Sequence, residues 1–190
     1  MSSEKLKSHW DLKYERGLPS LTEPDAFFLS AYERFVKPSF PNAGSALDLA
    51  CGLGRHALWQ ASREWRVSGV DLSDVAIGKL RHAALERKVD LDLLVGDAFG
   101  YKFVPARFDL IVLFYHLDRS LFPRIVFALK PRGLLICKMN LRWDMAGAGD
   151  ALHRNELPSL VPELHALHHQ ERPVRDRGVV EFAGERKEIG

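Results

Sequence analysis

The sequence predicts an α/β fold: a doubly wound, mostly parallel, seven-stranded sheet that ends in a C-terminal antiparallel hairpin and carries an N-terminal helical cap. Three observations predict it. From Ser45 onward, short apolar runs alternate with helical periods, the pattern of right-handed crossovers that lay helices on both faces of a parallel sheet. Near the C-terminus the pattern changes to two strand-like runs flanking a turn-rich stretch. The first 44 residues show only helical periods and a linker.

In the cap, Leu6, Trp10 and Tyr14 recur at i, i+4 and i+8. Gly17 follows, where a helix C-terminus wants a residue free to take positive φ. A second helix is expected with Thr22 as N-cap and Asp25 three residues on, running through Phe28, Ala31, Tyr32, Phe35 and Val36 and stopping before Pro38. Pro38 to Gly44 reads as a linker, so residues 1–44 form a helical cap on a domain spanning 45–190. Strands are expected at Ala46–Ala50, Val67–Val70, Leu91–Val95, Phe108–Tyr115 and Leu134–Met139, with helices near Arg55–Arg63, Asp74–Lys88 and Leu121–Leu129. Asn155 caps a short helical stretch, and Leu164–His169 and Val179–Phe182 flank Pro173–Gly178 as the hairpin.

Composition narrows the function. At 190 residues, 46% hydrophobic and 27% charged, the chain has the make-up of one globular domain. Its longest apolar run, Leu110 to Tyr115, is far short of the roughly 18–20 residues of a membrane span. The N-terminus is charged and polar from its third residue and shows no apolar stretch of a secretory signal, which reads as cytoplasmic. A net charge of +2, spread along the chain, argues against a nucleic-acid binder. Cys51 and Cys137 stand far apart without zinc spacing, so neither a disulfide scaffold nor a structural metal site is expected. His165, His168 and His169 read as a polar strand face, not a metal cluster.

The chemistry concentrates in Ala46-Leu-Asp-Leu-Ala-Cys-Gly-Leu-Gly-Arg-His-Ala57, a strand running into a glycine turn and then a helix. Gly52 and Gly54 let the backbone turn sharply and approach a ligand, and the helix N-terminus offers unpaired N–H groups. The second strand ends in Asp71, 19 residues beyond Gly52, where doubly wound folds place a carboxylate whose two oxygens accept two ribose hydroxyls. Asp71 also stands where it can lead into the following helix as a cap-like residue. The third strand ends in Gly96-Asp97-Ala98, at the same ligand-binding edge. The turn also fits G-x-G-x-x-A of dinucleotide binding. Against an NAD-binding oxidoreductase stand Asp48, an acid inside the first strand, and the lack of room for a separate substrate domain.

In the order "ALDLACGLGRHA", "VSGVDLS", "LLVGDAF", "FDLIVLFYHL" and "LKPRGLLICK", the chain resembles the class I S-adenosylmethionine-dependent methyltransferases from Ser45 to about Phe182. The resemblance implies a Rossmann-like fold and S-adenosyl-L-methionine as cofactor. It assigns Asp48, Gly52 and Gly54 to the methionine part, Asp71 to the ribose and Asp97 to the adenine amino group. Ala98 would supply a backbone contact, with Leu72 and Phe99 flanking the adenine. The chain departs at Ala50, where many members have a first glycine. The opening "SHWDLKYERG" is similar to the start of tellurite-resistance and thiopurine-type small-molecule methyltransferases, in which an N-terminal helix closes over the cofactor. That places Trp10 and Tyr14 at the cofactor, although residues at this spacing also serve to pack a helix onto its domain.

Methyl transfer from a sulfonium is an in-line displacement, so the protein has mainly to align donor and acceptor and exclude water. A base is required only for an acceptor that is protonated at working pH. His116 and Tyr115, at the end of the fourth strand, are the candidates for it, His116 having the titration range suited to proton removal. The chain lacks the Pro-Pro-aromatic turn of amino-methylating enzymes, the Pro-Cys nucleophile of cytosine C5 enzymes and the cysteines of arsenic methylation. A small-molecule acceptor is therefore expected, bound in part by Arg142, Trp143 and His153, which could equally be surface loop residues. The alternative is a module that binds the cofactor without turning it over.

Overall fold

The computed structural model describes residues 3–17, 22–142, 151–174 and 177–188. Its centre is a seven-stranded sheet in the order β3-β2-β1-β4-β5-β7-β6. The strands are β1 (Ser45–Leu49), β2 (Arg66–Asp71), β3 (Leu91–Val95), β4 (Phe108–Phe114), β5 (Leu129–Leu141), β6 (Leu164–Val174) and β7 (Arg177–Arg186). The first five run parallel, and β7 inserts antiparallel between β5 and β6. The expected doubly wound sheet with a C-terminal hairpin is therefore the fold. β1 and β4 are buried along most of their length because both faces are covered.

The helices are α1 (Ser3–Glu15), α2 (Ala26–Ala31), α3 (Lys37–Ser39), α4 (Arg55–Ala61), α5 (Asp74–Arg87), α6 (Leu121–Ala128) and α7 (Glu156–Leu160). Successive residues of β4 divide between the two faces. Phe108, Ile111 and Leu113 pack with α6, while Leu110 and Val112 pack with Phe28 and Val36 from the segment that follows α1 and with Ala57 of α4. On the second face Trp65 donates its indole N–H to the Tyr32 hydroxyl at 3.0 Å, satisfying the polar end of each buried ring.

Three local expectations are corrected. Helix α2 is capped by Asp25, whose carboxylate accepts the Phe27 N–H at 2.9 Å, and not by Thr22. Pro24 disfavours helical backbone at Glu23, so a helix cannot enter from Thr22. Nor does the helical segment stop before Pro38. It passes through a π-helical stretch, Tyr32–Val36, into α3, where Pro38 sits in the first turn and its missing N–H costs nothing. The hairpin strands are longer than expected, and Pro173 lies within β6 opposite Gly178. An edge strand accepts a proline because one side of its ladder is free.

A buried ion set, unannounced by the local pattern, fastens cap to sheet. Lys138 on β5 lies directly opposite Glu181 on β7, 2.9 Å away, and also meets both oxygens of Asp25 at 3.1 Å. Arg172 of β6 completes the set at 2.9 Å from Glu181. Burial pulls the Lys138 ammonium down, but Glu181 and Asp25 outweigh it and hold the group above the ordinary lysine range. Removing one partner strands the others in a low-dielectric site. Lys138→Ala is therefore expected to cost about 3–5 kcal/mol in chemical denaturation, more than truncation of an exposed pair such as Lys37 with Glu33.

Candidate active site

A cavity of about 320 Å3 opens at the C-terminal edge of β1, β2 and β4, under α1. Its size falls within the range of small-molecule sites. Ala50, Asp71 and Leu72 line it from the sheet side, Asp97 and Ala98 from the end of β3, and Tyr115 and His116 from the end of β4. Trp10 and Tyr14, with rings stacked at 5.9 Å, face it from α1. Nine of the sequence-predicted residues thus meet around one space.

The turn after β1 is built from left-handed backbone. Ala50, Gly52 and Gly54 have φ of 53°, 56° and 74°. The two glycines serve different ends. A Cβ on Gly52 would stand 2.7 Å from the Tyr14 hydroxyl, so this glycine admits the cap to the turn. A Cβ on Gly54 would meet the Leu80 side chain at 2.3 Å, so that glycine admits α5. Gly52 and Gly54 are absent from the cavity lining, as is Phe99, which is 55% exposed and whose ring lies beneath the Arg124 guanidinium at 5.2 Å.

Asp71 is buried, and its carboxylate accepts the Gly52 N–H at 2.7 Å and the Ser73 N–H at 2.9 Å. Burial pushes it above the ordinary carboxylate range, and the two N–H donors oppose the shift. His116 lines the same cavity as this carboxylate. Asp97 caps the 3-10 turn Ala98–Gly100 through the Phe99 N–H and receives the Ser3 hydroxyl at 3.4 Å. The Tyr14 phenol is pushed well up by burial and by Asp71.

Asp48 lies behind this lining. Its Oδ2 is buried without a hydrogen-bond partner among the described residues. Burial pushes its carboxyl up to about 7. Tyr115 takes a φ of 59° at the end of β4 and donates its N–H to the Lys138 carbonyl at 2.8 Å. Its side chain lines the cavity while its backbone is bound to Lys138, so it stands between the cavity and the buried ion set. The register shift between Ala166 and His168 turns His168 onto the Phe27 ring at 5.1 Å. His168 thus serves the core, a result that simple alternation does not give. No group of three or more His, Cys, Asp or Glu side chains that could hold a metal occurs among the described residues. Trp143 lies outside them.

With this geometry in place, the comparisons become specific. Residues 46–133 match a family model described as a methyltransferase domain. Among solved structures, the cyclase SpnF superimposes with a TM-score of 0.81 at 16% identity, covering 100% of this chain and 97% of that one. A Burkholderia thailandensis 1,6-didemethyltoxoflavin-N1-methyltransferase, solved with that compound and S-adenosylhomocysteine, matches with 0.73 at 17%, covering 99% and 92%. TehB from Haemophilus influenzae matches with 0.73 at 14%, covering 94% and 67%. At these identities the likeness establishes the fold. None of the curated proteins matches the chain in sequence. No described helix is long and apolar enough to cross a membrane.

Two variants follow from the site's own energetics. Because Asp48 holds its proton in the folded state up to about pH 7 while the unfolded chain releases it near 3.8, the wild type loses stability as pH rises from about 4 to 7. Asp48→Asn should therefore match wild type near pH 4 and exceed it by on the order of 2–4 kcal/mol above pH 7, read by denaturation at each pH. Ala50→Gly relieves left-handed backbone at a residue with a Cβ and is expected to stabilise by up to about 1 kcal/mol.

Proposed function

We propose that the chain is an S-adenosylmethionine-dependent methyltransferase acting on a small molecule. The observation that carries this reading is the convergence of Asp71, Asp97 and Ala50 of the turn after β1 on one capped cavity, within the stretch that matches a methyltransferase domain. The residues fit the cofactor. Asp71 offers carboxylate lone pairs to a ribose diol beyond those already engaged, and Asp97 offers an acceptor for an amino group. The unpartnered Oδ2 of Asp48 fits a cationic amine, which would also draw its proton away. Trp10 and Tyr14 present ring faces of the kind that attract a cation.

When bound, S-adenosylmethionine supplies a methyl group already activated by its positive sulfur. The chain's residues then align, enclose and, for a protonated acceptor, remove a proton. Tyr115 and His116 border the cavity on the acceptor side and are assigned that last task. Trp10 and Tyr14 exclude water from above. The neighbour named as a toxoflavin-precursor methyltransferase supports a small-molecule acceptor, and the charged groups beyond Tyr115 favour a polar one.

Calorimetric titration with S-adenosylmethionine and S-adenosylhomocysteine, followed by incubation of labelled cofactor with thiols, phenols, amines and chalcogen oxyanions, tests the reading. Binding with turnover of one class supports it. Binding without turnover of any class favours a cofactor-binding module, and binding of NAD(H) alone overturns it. Asp71→Asn, which keeps one carbonyl acceptor, should weaken cofactor binding roughly 10- to 150-fold. Asp71→Ala should also lower stability, because it leaves the Gly52 and Ser73 N–H groups without their acceptor.

A further inference from the structure

Helix α1 covers the cavity, yet none of its residues is buried and it belongs to none of the three apolar clusters. What holds it down is polar. The largest set of contacts centres on Asp11, which meets the start of α5. Its Oδ1 accepts the Ser73 hydroxyl at 2.5 Å, and the Val75 N–H adds to the groups that favour the ionised carboxylate. Ser73 is itself the N-cap of α5 and takes the Ala76 N–H at 3.1 Å. Asp11 therefore caps the same helix from a distant part of the chain. A carboxylate over the N-terminus of a 14-residue helix is further favoured by the helix dipole. Lys7 bridges Asp11 at 2.6 Å and Asp74 at 3.0 Å, closing the arrangement from outside. At the other end of the helix, Lys79 of α5 donates to the Tyr14 carbonyl at 2.6 Å.

Burial works to raise the Asp11 carboxyl, but Lys7 and Ser73 outweigh it and hold the group below the ordinary carboxylate range. The ionised form is thus the one the closed helix keeps. Ser73 also donates its backbone N–H to Asp71, so the contact that docks α1 is one residue pair removed from the carboxylate assigned to the ribose.

We propose that Asp11 is a positioning residue that latches α1 over the cavity, and that retention of the cofactor depends on this latch. The second half of the proposal rests on the cofactor reading above; the first half does not. Asp11 itself does not line the cavity and acts through α1, by setting how long Trp10 and Tyr14 stay over the site. Losing a hydrogen-bonded carboxylate should then speed release more than it slows entry, because an open helix leaves the entrance free.

The test uses the full chain as wild type, Asp11→Ala and Asp11→Asn. Without ligand, amide exchange in residues 3–15 is expected to quicken about tenfold or more in Asp11→Ala while β1, β2 and β4 are unchanged. With S-adenosylhomocysteine as probe, stopped-flow dissociation should quicken by a similar factor at a nearly constant association rate. Asp11→Asn, which keeps an acceptor oxygen for Ser73, should recover part of both effects. The latch is overturned if α1 is already unprotected in the wild type, if exchange in Asp11→Ala is unchanged, or if Asn is no better than Ala. If α1 responds as expected but the wild type binds neither cofactor form, the latch stands and the cofactor reading fails. If the wild type binds and dissociation is unchanged by Asp11→Ala, the dependence of retention on the latch is overturned while the cofactor reading stands.

Discussion

One carboxylate organises the functional edge of this protein. The turn after β1 passes through left-handed backbone at Ala50, Gly52 and Gly54, and neither a strand ladder nor a helix can satisfy the Gly52 N–H in that conformation. Asp71 does so from the end of the neighbouring strand and, with its other oxygen, fixes the Ser73 N–H where α5 begins. Two strand-to-helix turns are thereby tied through a single side chain. Its position follows from the parallel register that sets Leu49 beside Val70. Ser73 carries the connection outward to α1 through Asp11, so turn, acid and cap form one hydrogen-bonded chain.

That dependence explains which parts of the site were legible in the sequence. The alternation of apolar runs, the glycine turn and the acids at the ends of the second and third strands are local signals, and each states its own backbone requirement. Asp71, Asp97, Ala50, Tyr115 and His116 could be brought to one edge from strand ends, and Trp10 and Tyr14 only through the family resemblance. Gly54 could not be assigned its role in this way, because its lack of a Cβ serves the approach of Leu80, a residue 26 positions later that nothing in the turn announces. Phe99 failed for a similar reason. Arg124 on α6 holds the Phe99 and Tyr101 carbonyls and covers the ring from outside, and such a contact leaves no mark in the local pattern.

The ion set of Asp25, Lys138, Glu181 and Arg172 was illegible for a further reason. A lysine in the middle of an apolar strand reads as an interruption until its partners are known, and two of these come from β7 and from the cap of α2. Their charges compensate one another, so the set contributes position more than field. It holds the start of α2 on the sheet, where the Asp25 N–H also meets Nε2 of His56, whose imidazole is kept neutral by burial. The second face of the sheet thus reaches the functional edge as a rigid floor.

The edge is divided accordingly. On the side of β1 to β3 stand carboxylates held by backbone N–H groups, suited to hydroxyls and amines; beyond Tyr115, on the side of β5 to β7, stand paired charges. Tyr115 marks the border, and its left-handed backbone at the end of β4 is strain that a glycine or asparagine would carry at less cost. The residue held there touches both territories, its side chain lining the cavity and its backbone bound to Lys138. α1 closes the first territory with no apolar core of its own, whereas α2 is sunk into the sheet beside it. A cavity that must take in and release a ligand of its own size needs one wall that can part from the rest without unfolding the sheet. Polar contacts to α5, worth little singly and broken in water at small cost, provide that wall where an apolar seam would not.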